Sequence, residues 1–161
     1  FSRIAAAKRI FTISSDLDPA AVEKNYLESV RDGEVNIMPL FSDICNPGPG
    51  IGWDNEERML LTKRMRKDTI LALALVHHLS ISNNLPFQKI ASFFSKNCEN
   101  LIVEFIPKND SQVQRLLFSR EDIFGNYDKC SFEKVFSNYF RIKKVSRMPE
   151  SERFIYLMSR K

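Results

Sequence analysis

The chain contains 161 residues, of which 43% are hydrophobic and 27% are charged. These proportions are ordinary for a globular protein and predict a single domain spanning residues 1–161. The formal net charge of +4 permits an anionic partner, but it is too small to require nucleic acid.

Hydropathy gives no sign of a membrane partner. The longest apolar runs fall short of the roughly 18 residues of a membrane span, and residues 1–8 lack the apolar core of a signal peptide. We therefore expect a soluble, cytoplasmic protein; its oligomeric state is unknown. The three cysteines are odd in number and have no paired spacing, so they indicate neither a disulfide framework nor a zinc site. They are Cys45, Cys98 and Cys130.

The first elements are a helix end and a strand. Residues 1–8 are typical of the end of an amphipathic helix. Residues 9–15 are rich in β-branched and aromatic side chains, so they predict a strand that ends at Asp16.

A helix with a clear start follows. Asp18 is a favourable N-cap, and Pro19 fits the first helical position because its missing N–H would be unpaired there anyway. The helix should run from Pro19 to about Arg31 and stop near Gly33. Its predicted inner face consists of Val22, Tyr26, Leu27 and Val30.

The next segment is interrupted by helix and strand breakers. Residues 35–41 predict a strand, which Pro39 places at a sheet edge. Residues 45–53 are rich in glycine and proline and predict a loop. Residues 55–65 predict a helix. The end of that helix carries a basic cluster of Lys63, Arg64, Arg66 and Lys67.

An unbroken apolar run, residues 70–76, forms the centre of the pattern. A run without alternation is typical of a strand covered on both faces, as in a parallel sheet. The alternative is a short buried helix, because leucine and alanine favour helices and periodicity does not separate the two. The run ends at His77 and His78.

Helices and strands alternate through the rest of the chain. The predicted helices are residues 86–96, 111–117 and 131–140, and the predicted strands are residues 100–107, 141–147 and 154–158. The turn between the last two strands is too short for a helical crossover, so they should pair antiparallel.

This alternation predicts an α/β fold with helices on both faces of the sheet. Ligands of such sheets bind beyond the carboxyl ends of the strands. The residues predicted at those ends are Asp16, Asp43, His77, His78, Lys108 and Asp110.

Several segments in this order resemble the class I S-adenosylmethionine (SAM) dependent methyltransferases. They are residues 15–22, 40–43 and 73–79, the last reading Leu-Ala-Leu-Val-His-His-Leu. Together with residues 103–108 and 119–124, this last segment is similar to the nodulation-protein-related (host-specificity) methyltransferase-like group. The resemblance implies a Rossmann-like sheet with a C-terminal antiparallel hairpin, and SAM as the cofactor.

The resemblance also implies cofactor-binding residues. Asp16 would accept hydrogen bonds from the ribose hydroxyls, and Asp43 would face the adenine amino group. The alternatives are that Asp16 is a second helix-capping residue and that Asp43 only forms a turn. The full implied set is Asp16, Leu17, Ser42, Asp43, Ile44 and Leu75.

One expected element is not found. The glycine-rich turn of such folds lies about 20 residues before the ribose-binding acid, which places it ahead of Phe1. The resemblance therefore implies a fragment that lacks the first strand and the glycine loop and that could itself be inactive.

Three side chains are candidates for the chemistry. His77 or His78 could act as a base, since histidine titrates near neutrality, or could simply shape the pocket. On a strand the two would point to opposite sides, so one at most would face the acceptor. Glu104 lies within an apolar strand and should need a partner unless it is at an exposed strand end. No third ligand accompanies the histidines, so no metal site is predicted.

The acceptor is left open. The Asp/Asn-Pro-Pro-aromatic signature of amino-methylating nucleic-acid enzymes is absent after the central strand, which favours a small-molecule or saccharide-like acceptor. Two other classes are alternatives: a catalytically silent methyltransferase-like binding module, and a nucleotide-binding oxidoreductase fold.

Overall fold

Two separate β-sheets organise the chain in the computed structural model, which describes residues 1–64 and 67–161. The chain divides into two compact units, Phe1–Leu61 and Thr62–Lys161. The single domain expected from composition stays a prediction. Among the described residues, none of the helices is both long and apolar enough for a membrane span.

The first unit is built on a parallel pair of strands. Its elements are α1 (Ser2–Ala6), β1 (Thr12–Asp16), α2 (Pro19–Arg31) and β2 (Ile37–Phe41). The pairing of β1 with β2 runs in register from Thr12 opposite Ile37 to Asp16 opposite Phe41.

Helix α2 has the predicted bounds, and its N-cap is the predicted one. The Asp18 carboxylate accepts a hydrogen bond from the Ala20 amide at 3.0 Å, and Gly33 follows the helix with φ +63°. The predicted inner face is wrong, because a two-stranded sheet covers only a narrow strip of the helix. Ser29 is the buried residue of α2, whereas three of the four predicted residues are exposed: Tyr26, Leu27 and Val30.

The helix predicted over residues 55–65 is also wrong for most of its length. Ile51 and Arg58 form an antiparallel bridge with two hydrogen bonds of 3.1 Å, so these backbone groups pair across a turn instead of along a helix. A 3₁₀ turn, Trp53–Asn55, lies inside that bridge. Only α3 (Leu61–Arg64) is helical; Met65 and Arg66 lie outside the described residues.

The second unit carries a mixed four-stranded sheet in the order β3-β4-β6-β5. Strands β3 and β4 are parallel, and β6 pairs antiparallel with both β4 and β5. This arrangement confirms the predicted α/β fold with its terminal hairpin. The elements are β3 (Lys67–Ala72), a π-helix (His78–Ser82), α4 (Phe87–Asn97), β4 (Cys98–Phe105), α5 (Ser111–Leu117), α6 (Lys129–Phe136), β5 (Phe140–Arg147) and β6 (Phe154–Arg160).

Aromatic side chains fill the core of the second unit. Phe132 is fully buried, and its ring centroid lies 4.2 Å from that of Phe136 and 5.1 Å from that of Phe105. Phe87 and Tyr156 complete this layer at 5.6 and 5.2 Å from Phe132. Rings from α4, β4, α6 and β6 therefore meet at one residue of α6.

Replacing this central ring should be costly. We expect Phe132→Ala to lower the free energy of unfolding by about 3–5 kcal/mol, because the substitution leaves a cavity in a close-packed core. Phe118→Ala is the matched control, since Phe118 is 93% exposed, and it should change stability by less than about 0.5 kcal/mol. Denaturant unfolding measures both; equal losses would contradict the description of this core.

Candidate functional site

Five of the six predicted cofactor-binding residues lie in the first unit, at the carboxyl end of its parallel strands, whereas Leu75 belongs to the second unit. Asp16 ends β1 directly opposite Phe41, the last residue of β2, and the Ser42 amide donates to the Asp16 carbonyl at 3.0 Å. Because parallel strands end at the same edge, Leu17 and the residues after β2 meet there. Ser42, Asp43 and Ile44 are those residues.

Both acids at this edge also have local roles. The Asp16 carboxylate accepts from the Asp18 amide at 3.0 Å, and the Asp43 carboxylate accepts from the Cys45 amide at 2.8 Å. The capping and turn interpretations are therefore seen in the structure. A carboxylate has about four acceptor positions, so one local hydrogen bond leaves room for a ligand hydroxyl or amine.

In the second unit, the central strand is shorter than predicted. β3 ends at Ala72, Ala74 has φ +49°, and the chain is helical from Val76 into the π-helix. The strand predicted through residue 76 is wrong for its last four residues, which include Leu75. The alternative of a buried helix describes only the end of the run.

The two histidines consequently do not point to opposite sides of a strand. Their ring centroids lie 4.1 Å apart with an interplanar angle of 41°. His77 directly precedes the π-helix and His78 begins it, and neighbouring side chains of a helical turn diverge less than those of a strand. The turn places both imidazoles in one cluster.

Glu104 makes this turn possible. It is 6% exposed, and its carboxylate accepts a hydrogen bond from the Ala74 amide at 2.7 Å. Ala72 pairs with Val103 in the parallel register, so Glu104 lies beside the chain as it leaves β3. A left-handed conformation costs an alanine about 1–2 kcal/mol, and this hydrogen bond to a charged acceptor offsets that strain.

Arg153 neutralises the buried acid. Its guanidinium lies 3.5 Å from the Glu104 carboxylate and makes two hydrogen bonds, 2.8 and 3.1 Å, to Asp110. These hydrogen bonds hold the pKa of the Asp110 carboxyl below its usual range. Asp110 also accepts from the Gln112 amide and caps α5. The exposed-end interpretation of Glu104 does not apply, and the partner that its burial requires is present.

The environments of the two histidines differ. His77 is 2% exposed, and its Nδ1 has no hydrogen-bond partner among the described residues. Burial above all, then the nearby His78 and Arg153, lower the pKa of His77 to about 4, against a weaker opposing effect of Asp110. His77 is therefore neutral at pH 7, whereas the His78 side chain is exposed to solvent.

The sequence analysis missed Arg153. It is separated by 49 residues from Glu104, and a propensity pattern does not link such distant positions. The predicted antiparallel hairpin pairs the last two strands only; the contact also requires β6 to pair with β4, which brings Ile155 opposite Glu104. Lys108, also predicted at a strand end, forms an ion pair with Asp122, with 2.8 Å between its Nζ and the carboxylate Oδ2.

The chain is similar to a known protein in sequence and to several solved structures in fold. No family model matches the chain. Over 148 residues, covering 92% of the chain, it is 36% identical to "Nodulation protein NoeA" of Rhizobium meliloti (strain 1021). The chain spans 31% of that relative's length.

Solved structures share the fold at low sequence identity. A SAM-dependent methyltransferase from Aquifex aeolicus is 13% identical, with 91% of this chain and 66% of that chain covered and a TM-score of 0.52. The bifunctional kinase-methyltransferase WbdD is 14% identical, with 99% and 32% covered and a TM-score of 0.59. The PH0226 protein from Pyrococcus horikoshii OT3 is 13% identical, with 100% and 76% covered and a TM-score of 0.60.

The fold is therefore the Rossmann-like fold found in SAM-dependent methyltransferases. The similarity to NoeA confirms the predicted resemblance to a nodulation protein.

The depressed pKa of His77 predicts a pH dependence of stability. Between pH 6.5 and about pH 4, the unfolded chain binds a proton at His77 that the folded chain excludes. The free energy of unfolding should therefore fall as the pH is lowered through this window, by up to about 3 kcal/mol from this residue. Denaturant unfolding at a series of pH values measures the slope.

Two phenylalanine variants isolate this contribution. His77→Phe removes the titrating group and should flatten the slope between pH 6.5 and 4, whereas His78→Phe, which changes the exposed neighbour, should retain most of it. Parallel slopes for the wild type and His77→Phe would show that His77 is not the buried neutral histidine described above.

Proposed function

We propose that this chain is part of a SAM-dependent methyltransferase and carries residues for cofactor binding and for the acceptor. The observation that carries the proposal is the carboxyl end of the parallel pair in the first unit, where Asp16 ends β1 and Asp43 lies two residues after β2. Carboxylates at strand ends fit the ribose hydroxyls and the adenine amino group of SAM, because both are hydrogen-bond donors.

The residues of the first unit would bind and orient the nucleoside. The Asp16 carboxylate keeps acceptor capacity beyond its bond to the Asp18 amide and would hold the ribose. Asp43 would accept from the adenine amino group. Leu17 is 59% exposed, and with Ile44 it would supply apolar contact with the base, while Ser42 adds a hydroxyl.

The second unit would serve the acceptor. SAM supplies an electrophilic methyl group on a sulfonium, and the transfer requires in-line alignment of the nucleophile with that methyl group. His78 is the exposed histidine of the pair, so it would contact the acceptor and take its proton where the acceptor must lose one. His77, buried and neutral, would support the His78 ring. Leu75, predicted as a cofactor-binding residue, precedes this pair in the same turn.

Glu104 has a different role in this proposal. Its carboxylate is occupied by the Ala74 amide and by Arg153, so it would hold the turn that presents His78 and would not exchange protons with the acceptor. A small-molecule or saccharide-like acceptor is supported by the segment Val76-His77-His78-Leu79, which stands in place of the signature of amino-methylating nucleic-acid enzymes.

The assignment of Asp16 can be tested by cofactor affinity. We expect Asp16→Ala to weaken SAM binding by about 1–3 kcal/mol, as for a lost hydrogen bond to a charged group. Calorimetric titration of SAM measures the change. Asp32→Ala is the matched control, because Asp32 is an acid at the other end of α2 that pairs with Arg31. Equal affinity of Asp16→Ala and the wild type would remove Asp16 from the site.

The acceptor class can be tested with a labelled methyl group. The protein is incubated with SAM that carries a radiolabelled methyl group in three separate reactions. The first contains a panel of oligosaccharides, the second a panel of small alcohols and amines, and the third total RNA. We expect label in one of the first two panels, and a His78→Gln variant that transfers it about 10²–10⁴-fold more slowly. Label in RNA alone would contradict the proposed acceptor class.

A further inference from the structure

Residues 74–82 form a segment that we call the histidine turn. It starts at the left-handed Ala74 and ends with the π-helix His78–Ser82. The π-helix has a widened turn, in which the Asn83 amide donates to the His78 carbonyl at 3.1 Å. Such turns are rare and occur frequently at functional sites. The Asn83 side-chain amide donates to the same carbonyl at 3.2 Å, and contacts from other parts of the second unit add to these local hydrogen bonds.

A charged side chain from another element holds each end of the histidine turn. At the start, Glu104 of β4 accepts from the Ala74 amide at 2.7 Å. At the end, the Arg120 guanidinium donates to the Ile81 carbonyl. The last carbonyl groups of a helix have no partner within the helix. Arg120 therefore supplies a donor for the carbonyl of Ile81, whose side chain is fully buried.

The segment that carries Arg120 is itself anchored to the neighbouring strand end. The Lys108 ammonium donates to the two Asp122 carboxylate oxygens at 2.9 and 2.8 Å. Lys108 lies in the loop after β4. Asp122 also accepts from the Phe124 amide at 3.0 Å, which turns the chain back. Residues 119–124, which the sequence analysis singled out, therefore connect the end of the histidine turn to the loop after β4.

We propose that Arg120 is a positioning residue that fixes the place of His78. Arg120 acts through the Ile81 carbonyl and the π-helix, not by touching the acceptor. Without the guanidinium the end of the π-helix loses its cap, the bond between the Asn83 amide and the His78 carbonyl opens more often, and the imidazole of His78 samples several positions. The catalytic consequence rests on the proposed methyltransferase function; the positional consequence does not.

The two histidines make this proposal measurable by NMR. The chain contains only two, so a chain labelled with ¹⁵N-histidine gives one imidazole signal set for His77 and one for His78. In Arg120→Gln we expect the His78 signals to shift or broaden. We also expect exchange of the Asn83 amide with solvent to rise about tenfold, the factor for losing a charged hydrogen bond of about 1.5 kcal/mol.

Two further variants serve as controls. Arg115→Gln removes an exposed arginine of α5 and should leave the His78 signals and Asn83 exchange unchanged. Arg120→Lys keeps a cation able to donate to the Ile81 carbonyl and should restore most of the wild-type behaviour. Unchanged His78 signals in Arg120→Gln, or an equal rise in exchange across the whole second unit, would overturn the positioning role.

Parallel titration with S-adenosylhomocysteine separates this proposal from the proposed function. Arg120→Gln should bind this product with wild-type affinity, within about twofold, because Arg120 is not assigned to the cofactor. If neither this chain nor the longest chain that its gene encodes binds S-adenosylhomocysteine, the methyltransferase proposal fails while the NMR result still decides the role of Arg120. With an acceptor identified, Arg120→Gln should lower kcat and leave the KM for SAM unchanged; a change in KM alone would contradict a role through His78.

Discussion

The end of β3 in the second unit depends on the hydrogen bond that the Ala74 amide donates to the Glu104 carboxylate. A buried carboxylate is tolerated only with partners, and Glu104 has two, the Ala74 amide and Arg153. The first partner turns the chain out of β3 at a left-handed alanine. The second ties the turn before β6 to Asp110 at the start of α5. Glu104 and its partner Arg153 therefore link three segments: the turn after β3, the turn before β6 and the start of α5.

The position of the histidines follows from that constraint. Had the strand continued, His77 and His78 would lie on opposite faces; the turn instead brings their rings 4.1 Å apart and gives them different environments. Burial keeps His77 neutral at physiological pH, since its pKa is about 4. His78 remains exposed beside it. A buried neutral ring supporting an exposed one is an arrangement suited to presenting an imidazole to an acceptor.

Local signals predicted some elements well because the forces that define them are local. Asp18 with Pro19 determines the start of α2, and α5 follows its cap Asp110 with the predicted bounds. The end of β3 was mispredicted because its determinant, Glu104, lies 30 residues away from Ala74. The helix predicted over residues 55–65 is wrong for a different reason, because Arg58 pairs with the nearby Ile51 across a turn. Asp16 ends β1 as predicted. The roles of Arg153 and Arg120 depend on tertiary contacts with Glu104 and Ile81, which a local pattern does not contain.

The most direct test of the account is calorimetric titration of SAM and S-adenosylhomocysteine into the 161-residue chain and into the longest chain that its gene encodes. The account predicts saturable binding of both compounds to the longer chain at least, at one site per chain. Binding of neither compound to either chain would contradict a methyltransferase function and favour a binding module that has the fold without the activity.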